Sequence, residues 1–150
     1  MKIEDELKQQ NFINPHNKAL VNIIFTNNWL MNEQNNLLKP FGISPQQYNV
    51  LRILRGQKAT PLSINTISER MLDRMSNVSR LVDKLYLSKL VSRKESKKDR
   101  RSVDVKITQV GLDLLSEIDV LQNKMTDNLK NISNEEATLL SDLLDRIRTN

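Results

Sequence analysis

At 150 residues, with no cysteine, one histidine and a net charge of +5, the chain has single-domain length, and disulfide scaffolds, thiolate metal sites and a zinc site built on His16 alone are excluded. Aromatic residues make up only 4% and glycines number three, while apolar residues that come mostly as Leu, Ile and Val favour helices over a sandwich or barrel. Charge is uneven, +3 over residues 1–62, +6 over 63–106 and −4 over 107–150, so an anionic partner such as nucleic acid would meet the middle of the chain.

In chain order, Met1-Lys2-Ile3-Glu4-Asp5-Glu6 is charged where a signal peptide needs an apolar core. Nowhere do eighteen apolar residues run together, so a soluble, cytoplasmic protein without a membrane partner is expected. Asn17 to Lys39 reads as a helix with Leu20, Ile23, Ile24, Leu30, Met31, Leu37 and Leu38 as its apolar positions, stopped by Pro40. Ser44-Pro45-Gln46-Gln47 then offers an N-cap, a proline at the first helical position and a capping-box glutamine, and Tyr48, Leu51 and Leu54 follow at helical spacing up to Gly56.

After a loop from Gln57 to Leu62, Ser63 can cap a short helix with Ile64, Ile67 and Met71 on one face. Asp73 can cap another, with Val78, Leu81, Val82 and Leu85 inward. Two short helices joined by a turn form a helix-turn-helix. The second would present Ser76, Asn77, Ser79, Arg80, Asp83 and Lys84 outward, with Asn77, Arg80 and Lys84 in one stripe, and these side chains can meet base edges and phosphates. Ser63 and Arg74 are counted with them as candidate DNA contacts.

Val91 to Lys94 and Ser102 to Ile107 read as strands around the loop Glu95 to Arg101. Four cations and one carboxylate stand together in Lys97-Lys98-Asp99-Arg100-Arg101, and Val103, Val105 and Ile107 follow with the period of two that puts them on one face. Such a basic hairpin tip is suited to lie along a phosphate backbone or reach into a groove. With the helices before it, it makes a winged helix. From Thr108 a long helix carries Val110, Leu114, Ile118, Leu121, Met125 and Leu129 as a narrow seam of the kind that packs helix to helix. Ser133-Asn134-Glu135-Glu136 is a capping box that opens a last helix with Leu140, Leu143, Leu144 and Ile147 inward. The expected fold is mainly α with a small β-hairpin wing, in one domain over residues 1–150.

The run from Ser44 to Leu115 resembles the MarR family of bacterial transcription regulators. Three parts carry the likeness: Gln47-Tyr48-Asn49-Val50-Leu51; Val78-Ser79-Arg80-Leu81-Val82-Asp83-Lys84-Leu85; and Asp99-Arg100-Arg101 with Val105, Ile107-Thr108 and Gly111. The last is similar to the family's wing signature, Asp-x-Arg, a hydrophobic strand and Leu-Thr-x-x-Gly, with Ile107 in place of Leu. The resemblance implies a homodimer on double-stranded DNA, with dimerisation helices over 17–39 and 108–148 and a DNA-binding lobe over 44–107. It also implies that Arg101 reaches into the minor groove with Asp99 steadying it, that the recognition helix enters the major groove, and that a small lipophilic or phenolic effector occupies a cleft near Phe25, Trp29, Met31 and Tyr48. A glycine is usual in the family where this chain has Lys89, and another is common where it has Leu72-Asp73.

Each feature also has a plainer reading. The wing cations could form a solvated loop, Asn77, Arg80 and Lys84 an ordinary exposed face that meets phosphates rather than bases, and the apolar stripes simple core. His16 reads as a surface residue near the terminus. A helical protein-interaction module would explain the seam but not the basic wing, and an architectural DNA-binding protein would need no effector. No Gly-rich phosphate loop, nucleophile elbow, HExxH or Cys-His pairing is present, so neither an enzyme nor a cofactor is expected.

Overall fold

Asn14 and Pro15 open the long N-terminal helix. The Asn14 side-chain oxygen accepts the Asn17 N–H at 2.8 Å and Pro15 fills the first helical position, where a missing N–H goes unneeded. The helix therefore begins at Pro15, ahead of the Asn17 that the apolar spacing predicts. The computed structural model describes residues 1–57, 60–95 and 103–149, with the backbone alone over 122–128. In chain order its elements are α1 (Ile3–Leu7), α2 (Pro15–Leu38), α3 (Pro45–Gly56), β1 (Leu62–Ser63), α4 (Ile64–Arg70), α5 (Val78–Leu87), β2 (Val91–Glu95), β3 (Val103–Ile107), α6 (Gln109–Asp127) and α7 (Asn134–Ile147), with short 3-10 turns at Lys39–Phe41 and Asn128–Asn131. The short α1 has no counterpart in the sequence reading. Burial of Ile3 and an ion pair from Lys18 to Glu4 hold it.

The first helix of the central lobe follows its local code. Ser44 Oγ accepts the Gln47 N–H while the Gln47 side chain accepts the Ser44 N–H, closing the capping box ahead of Pro45. Tyr48, Val50, Leu51 and Leu54 are then buried on α3, which touches α2, α4, α5, α6 and β3. Around it the core gathers Leu38, Ile67, Met71, Val82, Leu85, Val91, Val105, Leu115 and Ile118. Residues from α2, from α6 and from the helix-turn-helix thus share one core.

The hairpin is a three-stranded antiparallel sheet in the order β1-β3-β2. Leu62 and Ser63, read as loop end and helix cap, also pair with Val105 and Asp104 of β3. Within β3 the alternation places Val105 and Ile107 in the core, while Val103, nearest the tip, is exposed.

One expectation fails, and two others are met only in part within the single chain. Asp73 does not cap the second helix; Asn77 does, its side-chain oxygen accepting the Arg80 N–H at 3.1 Å, so α5 starts at Val78. The seam on α6 divides: Ile118 enters the core beside Leu115, but Val110 and Leu129 stay exposed. On α7 the capping box forms as expected, yet no residue is buried: Leu140, Leu143 and Ile147 are exposed and Leu144 is only half-buried. No helix is long and apolar enough to cross a membrane among the described residues.

Candidate nucleic-acid interface

The interface is organised by the turn between α4 and α5. Asp73 shapes it: Oδ1 accepts the Met75 N–H at 3.0 Å and Oδ2 accepts the Ser76 hydroxyl at 2.9 Å. Asn49, on α3, accepts the Leu72 N–H at 2.9 Å and ties the turn to the core helix. The residue expected to cap α5 instead builds the turn that precedes it. Asparagine and aspartate serve either purpose, and the apolar face decides between them: with Val78, Val82 and Leu85 buried, Asn77 stands at the N-cap.

This shift changes what the candidate residues offer. Ser79, Arg80 and Lys84 lie within α5 with exposed side chains, and Arg74 is exposed in the turn. Ser76 is half-buried with its hydroxyl engaged by Asp73, and Asn77 has its side-chain oxygen engaged in the cap, so neither extends a helical stripe. Ser63 caps α4 through the Thr66 N–H at 3.1 Å. Lys97, Lys98, Asp99, Arg100 and Arg101 lie outside the described residues; the ladder leading to them runs as far as the pair Glu95 and Val103.

Sequence reasoning missed the brace between α5 and β2. Arg93 of β2 pairs with Asp83 of α5, and its guanidinium lies 4.4 Å from the centre of the Tyr86 ring. Asp83 is therefore a structural partner on the outer face of α5. Asp83 and Tyr86 are one helical turn apart, a signal that becomes readable only once the turn after α5 brings β2 alongside.

That turn explains the Thr-x-x-Gly signature. Helix α5 ends with the Leu90 N–H donating to the Leu85 carbonyl and the Lys89 N–H to the Tyr86 carbonyl, while Lys89 takes a left-handed φ of +60°. Thr108 Oγ1 accepts the Gly111 N–H at 3.1 Å and its hydroxyl lies 2.8 Å from the Lys89 carbonyl and 3.0 Å from that of Leu90. A Cβ at Gly111 would meet the Leu90 oxygen at 2.4 Å. One threonine and one missing side chain thus join the end of α5 to the start of α6.

A second link runs from α3 to α6. Arg55 holds Asp119 through two bonds of 2.6 and 3.2 Å. The Arg55 hydrogen bond keeps the Asp119 carboxyl below its ordinary value against the opposing effect of burial, with the charges of Arg55 and Arg52 adding lesser help, and the same bond raises Arg55.

A cleft of about 570 Å³ opens between α2, α3 and the turn, lined by Asn27, Met31, Gln34, Tyr48, Asn49, Arg52, Leu72 and Asp73 among others. Of the four residues expected near an effector, Met31 and Tyr48 line it. Phe25 and Trp29 do not; Phe25 is half-buried elsewhere on α2 and Trp29 is exposed. Arg52 donates to the Tyr48 hydroxyl at 2.7 Å within the wall. Among the described residues no group of acidic or histidine side chains is arranged to hold a metal ion.

Comparison with known proteins gives a consistent answer. The model of the MarR family matches residues 41–102. The HTH-type transcriptional regulator MhqR of Bacillus subtilis is 30% identical over 110 residues, which is 73% of this chain and 74% of that protein. The fold is shared with an Escherichia coli MarR variant complexed with operator DNA, at 22% identity and a TM-score of 0.76 over 99% of this chain and 100% of that one. It is shared too with the organohalide-sensing regulator RdhR in its 2,4-dichlorophenol-bound form, at 18% identity and a TM-score of 0.80 over 91% and 80% of the two chains.

Proposed function

The chain belongs to the MarR family of DNA-binding transcription regulators, and from that premise we propose that it is a cytoplasmic, homodimeric repressor that binds a pseudo-palindromic operator and is released by a small-molecule effector. The observation that carries the reading is α5 itself: a capped helix with its apolar side buried, Ser79, Arg80 and Lys84 exposed, and a brace to the strand that leads into the basic tip. The operator-bound MarR relative supports this use of the fold. Residues 44–107 act as the DNA-binding lobe. Arg80, Lys84 and Arg74 contact phosphates or base edges, Arg101 reads the minor groove with Asp99 steadying it, and Lys97, Lys98 and Arg100 anchor phosphates. Ser63, Ser76, Asn77 and Ser79 contribute hydrogen bonds from the helix ends.

A two-fold dimer would bring its recognition helices into successive major grooves, about 10 base pairs apart. The effector reading rests on the cleft. Its walls include Leu72 and Asp73, which belong to the turn that sets α5, so an occupant that prefers one position of that turn shifts the DNA equilibrium, and a differential affinity of a few kcal/mol suffices. With Met31 and Tyr48 beside carboxamides, the cleft suits a small aromatic molecule able to hydrogen-bond, as 2,4-dichlorophenol is for the organohalide-sensing relative.

Selection of bound sites from random duplex DNA tests the reading. An inverted repeat with a centre spacing of about 10 base pairs is expected, and recovery of no site overturns it. On the recovered site Arg101→Ala should weaken binding and relax base preference in the groove it reads, whereas Lys97→Ala should weaken binding uniformly and lower the salt slope by about one. Titration of small phenols against the complex should release DNA; the absence of release by any of them would count against the effector.

A further inference from the structure

Met75 is the most exposed large apolar side chain of the helix-turn-helix, at 92%. It belongs neither to the core nor to the wall of the cleft. Its backbone is nevertheless fixed, with its N–H on Asp73 Oδ1 and the flanking Ser76 tied to the same carboxylate. Leu72, 88% exposed and three residues earlier, lines the cleft and so has a place of its own. A single exposed apolar residue on an ordinary surface calls for no explanation. Met75 differs by its position: it sits two residues before the cap of α5, between Arg74 and Ser76, in the segment of the chain that carries +6.

An apolar side chain held at the leading end of a recognition helix meets few matching groups on DNA. The major groove presents donors and acceptors at every base pair and one apolar group, the C5-methyl of thymine. We propose that Met75 reads a thymine methyl in the major groove, adding base discrimination to an interface otherwise built from cations and hydroxyls. The unbranched thioether adapts to the position of the methyl while Asp73 fixes where it starts. This inference rests on the recognition-helix reading above and extends it to a residue whose chemistry is neither charged nor hydrogen-bonding.

The test uses the full chain and a duplex recovered by selection from random DNA, resynthesised with deoxyuridine in place of each thymidine in turn. Removing the methyl that Met75 meets should weaken wild-type binding about fourfold, the equivalent of one buried methylene. Met75→Ala should bind the thymidine duplex about as weakly as the wild type binds the deoxyuridine duplex, and should lose nothing further on the substitution. An unchanged thermal melt checks that the variant is folded. Three results would each overturn the inference while leaving DNA binding intact: a wild type indifferent to every methyl, a recovered half-site without thymine, or a Met75→Ala protein that keeps the full discrimination. Recovery of no duplex at all would overturn both this inference and the reading it rests on.

Discussion

Lys89 holds the backbone that the family resemblance assigns to glycine. Its φ of +60° follows from the two bonds that close α5, from Leu90 to Leu85 and from Lys89 to Tyr86. A side chain in that region is strained by roughly 1–2 kcal/mol, and a glycine avoids the strain but gains freedom in the unfolded chain. Lys89→Gly should therefore stabilise the protein by about 0.5–1 kcal/mol, read as a higher urea midpoint with an unchanged slope. A lower midpoint would mean that the lysine side chain makes contacts worth more than the strain. The opposite holds at Gly111. There a methyl group would press on the Leu90 carbonyl at 2.4 Å and on Ile107 Cγ1 at 2.8 Å, backbone and packed side chain that have little room to give. Gly111→Ala should cost about 2 kcal/mol in the same measurement. The Thr-x-x-Gly spacing could be recognised in the sequence, but its cause lies in Lys89 and Leu90, some twenty residues away, and only the folded chain brings them together.

At the scale of elements, legibility followed how local the deciding forces are. Capping boxes at Ser44 and Ser133 were readable because cap and partner lie three residues apart, and both form. The start of α5 was not, because Asp73 and Asn77 are both good caps and the choice depends on how Val78, Val82 and Leu85 pack against the rest of the core. The pairing of Leu62 with Val105 joins residues far apart in the chain and left no periodic trace in two residues of strand. The charge links that join α5 to β2 and α3 to α6 were equally hidden. Arg93→Ala should lower stability by about 1 kcal/mol or less, since an exposed ion pair and one ring contact are each worth little. Its effect on DNA affinity should be larger, because the brace fixes the recognition helix relative to the wing. Arg93→Lys keeps the charge but not the planar stacking and should fall between. Equal losses in stability and affinity would reduce the brace to ordinary packing. The pair between α3 and α6 carries a pH signature. Arg55 lowers the folded-state value of Asp119, so its contribution is present above the ordinary carboxylate range and is lost as pH falls through the lowered value. Below about pH 4, the acid loss of stability should be shallower in Asp119→Asn than in the wild type, and identical acid limbs would show that the pair is screened by solvent.

At the scale of the molecule, the unburied apolar surface argues for a partner. Leu139, Leu140, Leu143 and Ile147 on α7 are exposed, as are Leu20, Ile23 and Ile24 on α2 and Val110 and Val120 on α6, which is more apolar surface on the terminal helices than an isolated globule needs to leave in water. All of these but Leu139 and Val120 are positions the sequence pattern assigns to the apolar faces of helices, and a second copy of the chain would cover them. The C-terminal third, which includes α6 and α7, carries −4 against the +6 of residues 63–106, so an interface built there would leave the cationic lobes of both copies free for one duplex. Placing carboxylates at Leu140 and Leu143 together tests this without disturbing the core, because both side chains already face water in the single chain. The double variant Leu140→Glu with Leu143→Glu should be monomeric by sedimentation while melting as a folded protein. Its affinity for an isolated half-site should match that of the wild type, but the gain on a full operator should vanish, because joining two lobes raises avidity on the order of a hundredfold or more only when both can engage at once. A variant that stays dimeric would move the interface off α7. One that turns monomeric yet keeps full operator affinity would break the link between dimer geometry and DNA binding, and with it the route by which an effector in the cleft could govern both lobes.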